Sequence, residues 1–204
     1  MMAQQMEVMR FVESILKKMN ESPIILRKIP VFLNTRMIGL QEASGAYVTF
    51  VDSDDWVEKT YIEELYDKLI TYHADYSAAN YYLFNDAESL FYFFMGEQDY
   101  YERLYTPVQL IDGLYETKFN KSFALLSAWG KLYKRTLFED LLFPKGQIGE
   151  DGFFNLKAYL MSERVIYLNK GLYAYRERPG SYLELGLKIG CQHWYMLWKS
   201  VLPC

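Results

Sequence analysis

Cysteine is nearly missing from this chain, with Cys191 and Cys204 the two examples in 204 residues. No Cys-x-x-Cys pair occurs, so a disulfide framework is excluded, and two free thiols fit a reducing, cytoplasmic compartment. Long apolar runs are also missing. The densest, Leu90 to Met95, is far short of the ~20 residues a membrane span needs. The amino terminus, MMAQQMEVMRFVES, has no charged-then-apolar signal organisation, and no transmembrane helix is expected. A basic excess is missing too: 22 Lys and Arg stand against 26 Asp and Glu, a net charge of −4, which leaves no field to recruit nucleic acid by counterion release, so no nucleic-acid partner is expected. Neither an internal repeat nor a low-complexity segment is present.

Aromatic residues are abundant instead, 19 Tyr and 13 Phe within a chain that is 51% hydrophobic. That composition excludes a disordered chain, and the length suits one domain with a substantial core. Tyrosines in such number fill a core with polar rims, or line half-wet surfaces such as sugar-binding clefts.

The most informative stretch is Ala46 to Trp56, AYVTFVDSDDW. Tyr47 to Val51 carry no charge and are β-branched or aromatic, the composition of a strand covered on both faces of a parallel-type sheet. Asp52, Asp54 and Asp55 follow at its carboxyl end, the edge where open α/β sheets bind ligands. Clustered carboxylates repel unless a cation is shared, which points to a hard divalent ion and phosphate. The competing account is an acidic turn capping the next helix.

Along the chain, helices are expected at Glu7 to Met19, Thr35 to Ala43, Tyr61 to Ile70, Pro107 to Gly113, Tyr133 to Glu139, Asp151 to Met161 and Trp194 to Leu202. In the Tyr61 helix, Glu64 and Lys68 are expected to pair on the outer face, and His73 is read as a capping residue at its end. Strands are expected at Ile24 to Arg27, Tyr47 to Val51 and Ala74 to Leu83, with two short ones, Val165 to Leu168 and Leu172 to Arg176, around an Asn169-Lys170-Gly171 turn. Phe84 to Tyr105 shows no clear period and is taken as a loop.

Four segments then carry a family resemblance. Asn34 to Leu40, NTRMIGL, runs into QEASGAYVTFVDSDDW; Trp129 to Phe138 is WGKLYKRTLF; Phe143 to Phe154 is FPKGQIGEDGFF; Leu172 to Ser181 is LYAYRERPGS. In order and spacing these resemble the R-N-x-G-L…D-S-D-D, W-x-K-L-Y, E-D-x-x-F and L-Y-x-Y-R motifs of family 2 glycosyltransferases with the GT-A fold. The resemblance covers Ile15 to Ser181. It implies an α/β fold, a GT-A-like mixed sheet flanked by helices, formed as a single domain over residues 1–204 with 182–204 as a helical tail. The family's opening strands, S-V-I-I-P-x-Y-N and a strand ending in D-D-G-S, find no match here. The expectation is therefore an N-terminally truncated domain that binds nucleotide sugars weakly, turns over negligibly and self-associates.

The resemblance also implies an inverting transferase acting on a nucleotide-diphosphate sugar donor and a glycan or lipid-linked acceptor, with Mg²⁺ or Mn²⁺ neutralising the diphosphate. Asp54 and Asp52 would hold the metal; Asp52, Asp54, Asp55 and Arg36 would hold the donor. Asp151 would be the general base, because the acceptor hydroxyl must lose a proton, and Glu150 would support it. Trp129, Lys131, Arg176 and Arg178 would meet the acceptor or phosphates. Core packing competes for Trp129, solvation for the arginines, and dipole compensation at a helix start for Glu150 and Asp151. Met37 departs from the family's usual Asn, and His193 is a candidate third metal ligand. Relatives act at the inner membrane surface, so peripheral contact with it is a further expectation. Two other classes stay open: a non-catalytic binding or assembly subunit, and a Mg-dependent phosphohydrolase, against which Trp56 counts.

Overall fold

Tyr76 to Asn85 and Val165 to Glu177 are the two longest strands of the computed structural model, which describes residues 35–113, 121–139 and 150–178. In chain order the elements are α1 (Thr35–Glu42), β1 (Tyr47–Val48), β2 (Trp56–Val57), α2 (Tyr61–Thr71), β3 (Tyr76–Asn85), β4 (Leu90–Phe93), β5 (Glu102–Tyr105), α3 (Pro107–Gly113), α4 (Lys121–Leu126), β6 (Lys131–Lys134), α5 (Glu150–Met161) and β7 (Val165–Glu177). Single 3₁₀ turns occur at Glu97–Asp99 and Arg135–Phe138. The expected segments around Glu7, Ile24 and Trp194, and His193, lie outside the described residues.

One mixed sheet forms in the order β1-β6-β3-β7-β2, with β4 on β3 and β5 on β7. The central pair, β3 and β7, is parallel, and the other pairs are antiparallel. Successive residues of β7 alternate between two cores. Val165 and Tyr167 join Tyr76, Tyr133, Phe154 and Tyr159 on the side covered by α5. Ile166 and Leu168 join Tyr61, Leu65, Leu69 and Trp129 on the side covered by α2. Helices on both faces explain why both central strands are dense in large apolar residues.

Several local expectations change. The strand expected over Tyr47 to Val51 pairs only through Tyr47 and Val48, antiparallel to β6, and Val51 is exposed. The reason is topological: β1 and β2 end the strand path on opposite edges. Residues 49–55 must leave β1 to reach Trp56, which pairs with Ala174 late in β7. The helix expected at Tyr133 to Glu139 is strand β6 followed by a 3₁₀ turn, because Tyr133 sits between Val48 and Tyr76 in the sheet. The stretch taken as a loop contains β4 and β5. An exposed β4 gives no alternating pattern to find. Glu64 and Lys68 do not pair: Glu64 binds Lys170 at 2.6 Å and Lys68 binds Glu102 at 2.9 Å.

The turn expected at Asn169-Lys170-Gly171 is an irregularity within one strand, since β7 continues through it as far as Glu177. Its register against β3 shifts twice there, from Ala79 opposite Leu168 to Asn80 opposite Gly171 and Tyr81 opposite Tyr173. Asn169 turns its side chain into the core, accepting from Asn80 Nδ2 at 2.9 Å and donating to the Asp99 carbonyl at 2.7 Å. At Gly171 the ring of Tyr82 lies where a Cβ would stand, 2.3 Å from it.

His73 is a cap, as expected. Its φ of 50° is left-handed; its N–H bonds the Ile70 carbonyl at 3.1 Å and the Ala74 N–H bonds that of Leu69 at 2.9 Å, the Schellman pairing. Glycine adopts this conformation without the Cβ penalty. His73→Gly should therefore stabilise the fold by about 0.5–1 kcal/mol in urea unfolding. A destabilised variant would show that the imidazole contributes more than its backbone costs.

Candidate active site

The acidic loop is held by hydrogen bonds to elements distant in sequence. A turn closes it, with the Asp55 N–H on the Asp52 carbonyl at 3.1 Å. Tyr173 Oη donates to Asp55 Oδ2 at 2.6 Å and accepts from the Asp52 N–H at 3.1 Å. The Arg176 N–H donates to Asp55 Oδ1 at 2.8 Å. Asp54 pairs with the Arg178 guanidinium. Arg36, from α1, donates through Nη2 to Asp52 Oδ1 at 2.8 Å and through Nη1 to Asp151 Oδ1. Asp151, in the first turn of α5, also accepts from the Ala128 N–H at 3.0 Å through Oδ2.

The structure thus brings Asp52, Asp54, Asp55, Arg36, Asp151, Arg178 and the backbone N–H of Arg176 into one hydrogen-bonded cluster, while the Arg176 guanidinium lies over the Trp56 ring and faces Asp86. Glu150 opens α5, but its side chain lies outside the described residues. Two expected acceptor contacts are elsewhere. Lys131 is fully buried, donating to the Ala124 carbonyl at 2.6 Å and to that of Ser127, so its ammonium caps the carbonyl end of α4. Trp129 is 3% exposed and stacks on Tyr173 with centroids 4.4 Å apart, which makes it packing support for the ring that orients the acidic loop. Sequence reasoning passed over Tyr173, although it falls in the segment singled out for its arginines, and Asn155. The latter is buried, donates to the Leu126 carbonyl at 2.8 Å and accepts from Tyr133 Oη at 3.0 Å, which ties α5 to the end of α4 and to β6.

Burial dominates the electrostatics. It pushes the Asp55 carboxyl up to about 6, against the hydrogen bonds from Arg176 and Tyr173. Burial also raises Asp52, opposed by Arg36, and lowers the Lys131 ammonium to about 7, opposed by Asp151. Among the described residues no three His, Cys, Asp or Glu side chains gather as a ready metal cage, and no helix is long and apolar enough to cross a membrane.

A model of the family "Glycosyl transferase family 2" matches residues 24–142, more than half of the chain. The chain belongs to this family. Membership sets aside the phosphohydrolase alternative. Over 146 residues the domain is 58% identical to glycosyltransferase GlyA of Streptococcus pneumoniae, covering 72% of this chain and 21% of that protein. Glycosyltransferase GlyG of the same organism is 34% identical over 148 residues, 72% of this chain and 49% of the relative. The chain therefore spans a fifth to a half of the length of these curated relatives. Among solved structures it is similar to S. aureus TarS 1-349 in complex with UDP-GlcNAc, with a TM-score of 0.54, 25% identity, and coverage of 73% of this chain and 40% of that one. The GT-A-like mixed sheet expected from the motifs is the fold observed.

Asp55 binds its proton near pH 6 when folded and near its ordinary 3.8 when unfolded. The folded state therefore holds more protons between these values, and stability falls as pH rises from about 4 to about 6. In urea unfolding Asp55→Asn should flatten this slope; an unchanged slope would place the titration elsewhere. Tyr173→Phe removes a hydrogen bond that favours the charged form, so the Asp55 midpoint should rise in a carboxyl-carbon NMR titration. A midpoint at or below the wild-type value would contradict the contact.

Proposed function

We propose that this domain transfers a sugar from a nucleotide-diphosphate donor to a hydroxyl of a glycan or lipid-linked acceptor, with inversion at the anomeric carbon. The observation that carries the reading is the shared guanidinium of Arg36, which sets the acidic loop and Asp151 side by side. The two carboxylate groups have the separate tasks the reaction needs. Asp151 is fixed by Arg36 and the Ala128 N–H and takes the proton from the acceptor hydroxyl. As that oxygen bonds to the anomeric carbon, the carbon–phosphate-oxygen bond breaks and the nucleoside diphosphate departs. Asp52 and Asp55 shape the donor side, Asp55 through the strong hydrogen bond from Tyr173. Glu150, next to the base, supports it.

A divalent cation fits the donor set in one way. Hard ions of this kind use one or two carboxylates together with substrate phosphates, and Asp54, partly exposed and paired with the exposed Arg178, is free to exchange that partner. Bound there, Mg²⁺ or Mn²⁺ would neutralise the departing diphosphate as a Lewis acid. Arg178, released, would follow the phosphates, whereas Arg176 contributes through its backbone N–H on Asp55. A uridine diphosphate sugar is the first donor to test, because TarS, similar over most of this chain, has been crystallised with UDP-GlcNAc and with UDP.

Calorimetric titration of UDP-GlcNAc with Mn²⁺ should show donor binding weakened at least tenfold by Asp54→Ala. In transfer assays on the protein that carries this domain, Asp151→Asn should lower kcat by at least ~10²-fold with donor affinity unchanged. Wild-type donor affinity in Asp54→Ala would remove the metal assignment, and wild-type turnover in Asp151→Asn would remove the base.

A further inference from the structure

A groove of about 370 Å³ opens where β2, β3 and β7 meet the strand β4, within the ~300–1,000 Å³ usual for small-molecule clefts. Its walls are aromatic: Trp56, Tyr82, Phe91 and Phe94, with Glu58 and Lys170 at its polar positions. The rings form a built platform. Tyr82 is backed by the Cβ-free surface of Gly171, and Phe94 stacks on Tyr82 with centroids 4.9 Å apart and planes 13° apart. Phe94 is nevertheless 66% exposed and Phe91 50% exposed. Large aromatic faces left in water are costly and mark contact sites.

Charge decides among occupants. The lining cation Lys170 is already paired with Glu64, and Arg176, over the Trp56 ring, faces Asp86. Glu58 is left as the lining carboxylate and Glu64 stands beside Lys170, so an anionic lipid surface, a free phosphate and a second acidic copy of this chain are all disfavoured. A neutral polyhydroxyl ligand suits both features, with C–H faces on the rings and hydroxyls on the carboxylates. The groove adjoins the acidic loop, since Trp56 follows Asp55 directly and Arg176 meets both residues, with its guanidinium over the Trp56 ring and its backbone N–H on Asp55. We propose that this groove is a binding subsite for a neutral saccharide of the acceptor glycan, stacked on Phe94 and Phe91 and hydrogen-bonded to Glu58. The assignment rests on the transferase reading but engages different residues, so the two can fail separately.

The test is NMR titration of the chain with neutral disaccharides ending in glucose, galactose or N-acetylglucosamine, and in parallel with UDP-GlcNAc and Mn²⁺. At least one disaccharide should give saturable shifts of the Trp56 indole, weakened tenfold or more by Phe94→Ala and by Glu58→Gln but unchanged by Asp54→Ala. Phe94→Ala removes an exposed ring and should keep the wild-type fold, read from the remaining spectrum; Glu58→Gln keeps size and backbone as a second check. No saturable shift with any of the disaccharides, or binding indifferent to both variants, overturns the subsite while leaving the donor reading intact. Loss of donor binding with disaccharide binding retained overturns the donor reading instead. Binding to phosphatidylcholine vesicles, or dimerisation in sedimentation, that is abolished by Phe94→Ala would give the groove to lipid or to a second copy and would equally overturn the proposal.

Discussion

One guanidinium organises the cleft. Arg36 stands between Asp52 and Asp151, two partly buried carboxylates that would otherwise repel each other. A planar fork with several donors suits this task, since it can bind two carboxylates in fixed directions where an ammonium acts as a point charge. The loop 49–55 crosses between the sheet edges to deliver Asp52, and α5 delivers Asp151 through its first turn.

A second tier of contacts makes the first one definite. Trp129 lies flat against Tyr173, Tyr173 reaches the acidic loop, Asn155 holds α5 against the end of α4, and the Ala128 N–H holds it against the 127–130 turn. That turn depends on Gly130, whose φ of 72° is left-handed and whose carbonyl accepts from the Ala79 N–H at 2.9 Å in the central strand. Buried Lys131 adds to it by capping α4. The family's W-x-K-L-Y segment is thus a brace behind the cleft. Its residues hold Tyr173 and α5, which in turn hold the acidic loop and Asp151.

Much of this was legible in the sequence because the signals were local or came as motifs. The spacing of Tyr61, Leu65 and Leu69 announced α2, and Pro107 and Gly113 bounded α3. The motifs placed the fold, and Arg36, Asp151 and Arg178, which they singled out, are joined by ion pairs to the acidic loop or to one another. What escaped depends on partners far along the chain. Trp129 and Lys131 look like surface chemistry until the sheet buries them. β4 shows no alternation because its side chains lie largely in water. Tyr133 would suit a helix had β1 and β3 not claimed it from both sides. The importance of Tyr173 and Asn155 lies in their hydrogen bonds, which one sequence does not display.

The irregularity in β7 has a consequence for how this chain can vary. Between Leu168 and Tyr173 the strand carries three more residues than the stretch of β3 from Ala79 to Tyr81 that it accompanies. Side chains alternate faces along a strand, and an odd excess reverses the alternation. Leu168 and Tyr173, five positions apart, consequently share one core, and the Tyr173 hydroxyl meets Asp55. The Asn-Lys-Gly sequence looks like a tolerant surface turn, yet its length is a parity setting. One residue more or fewer there would turn Tyr173 to the opposite face of the sheet, so homologous domains that keep this tyrosine should vary here in sequence or by pairs of residues, and not by one.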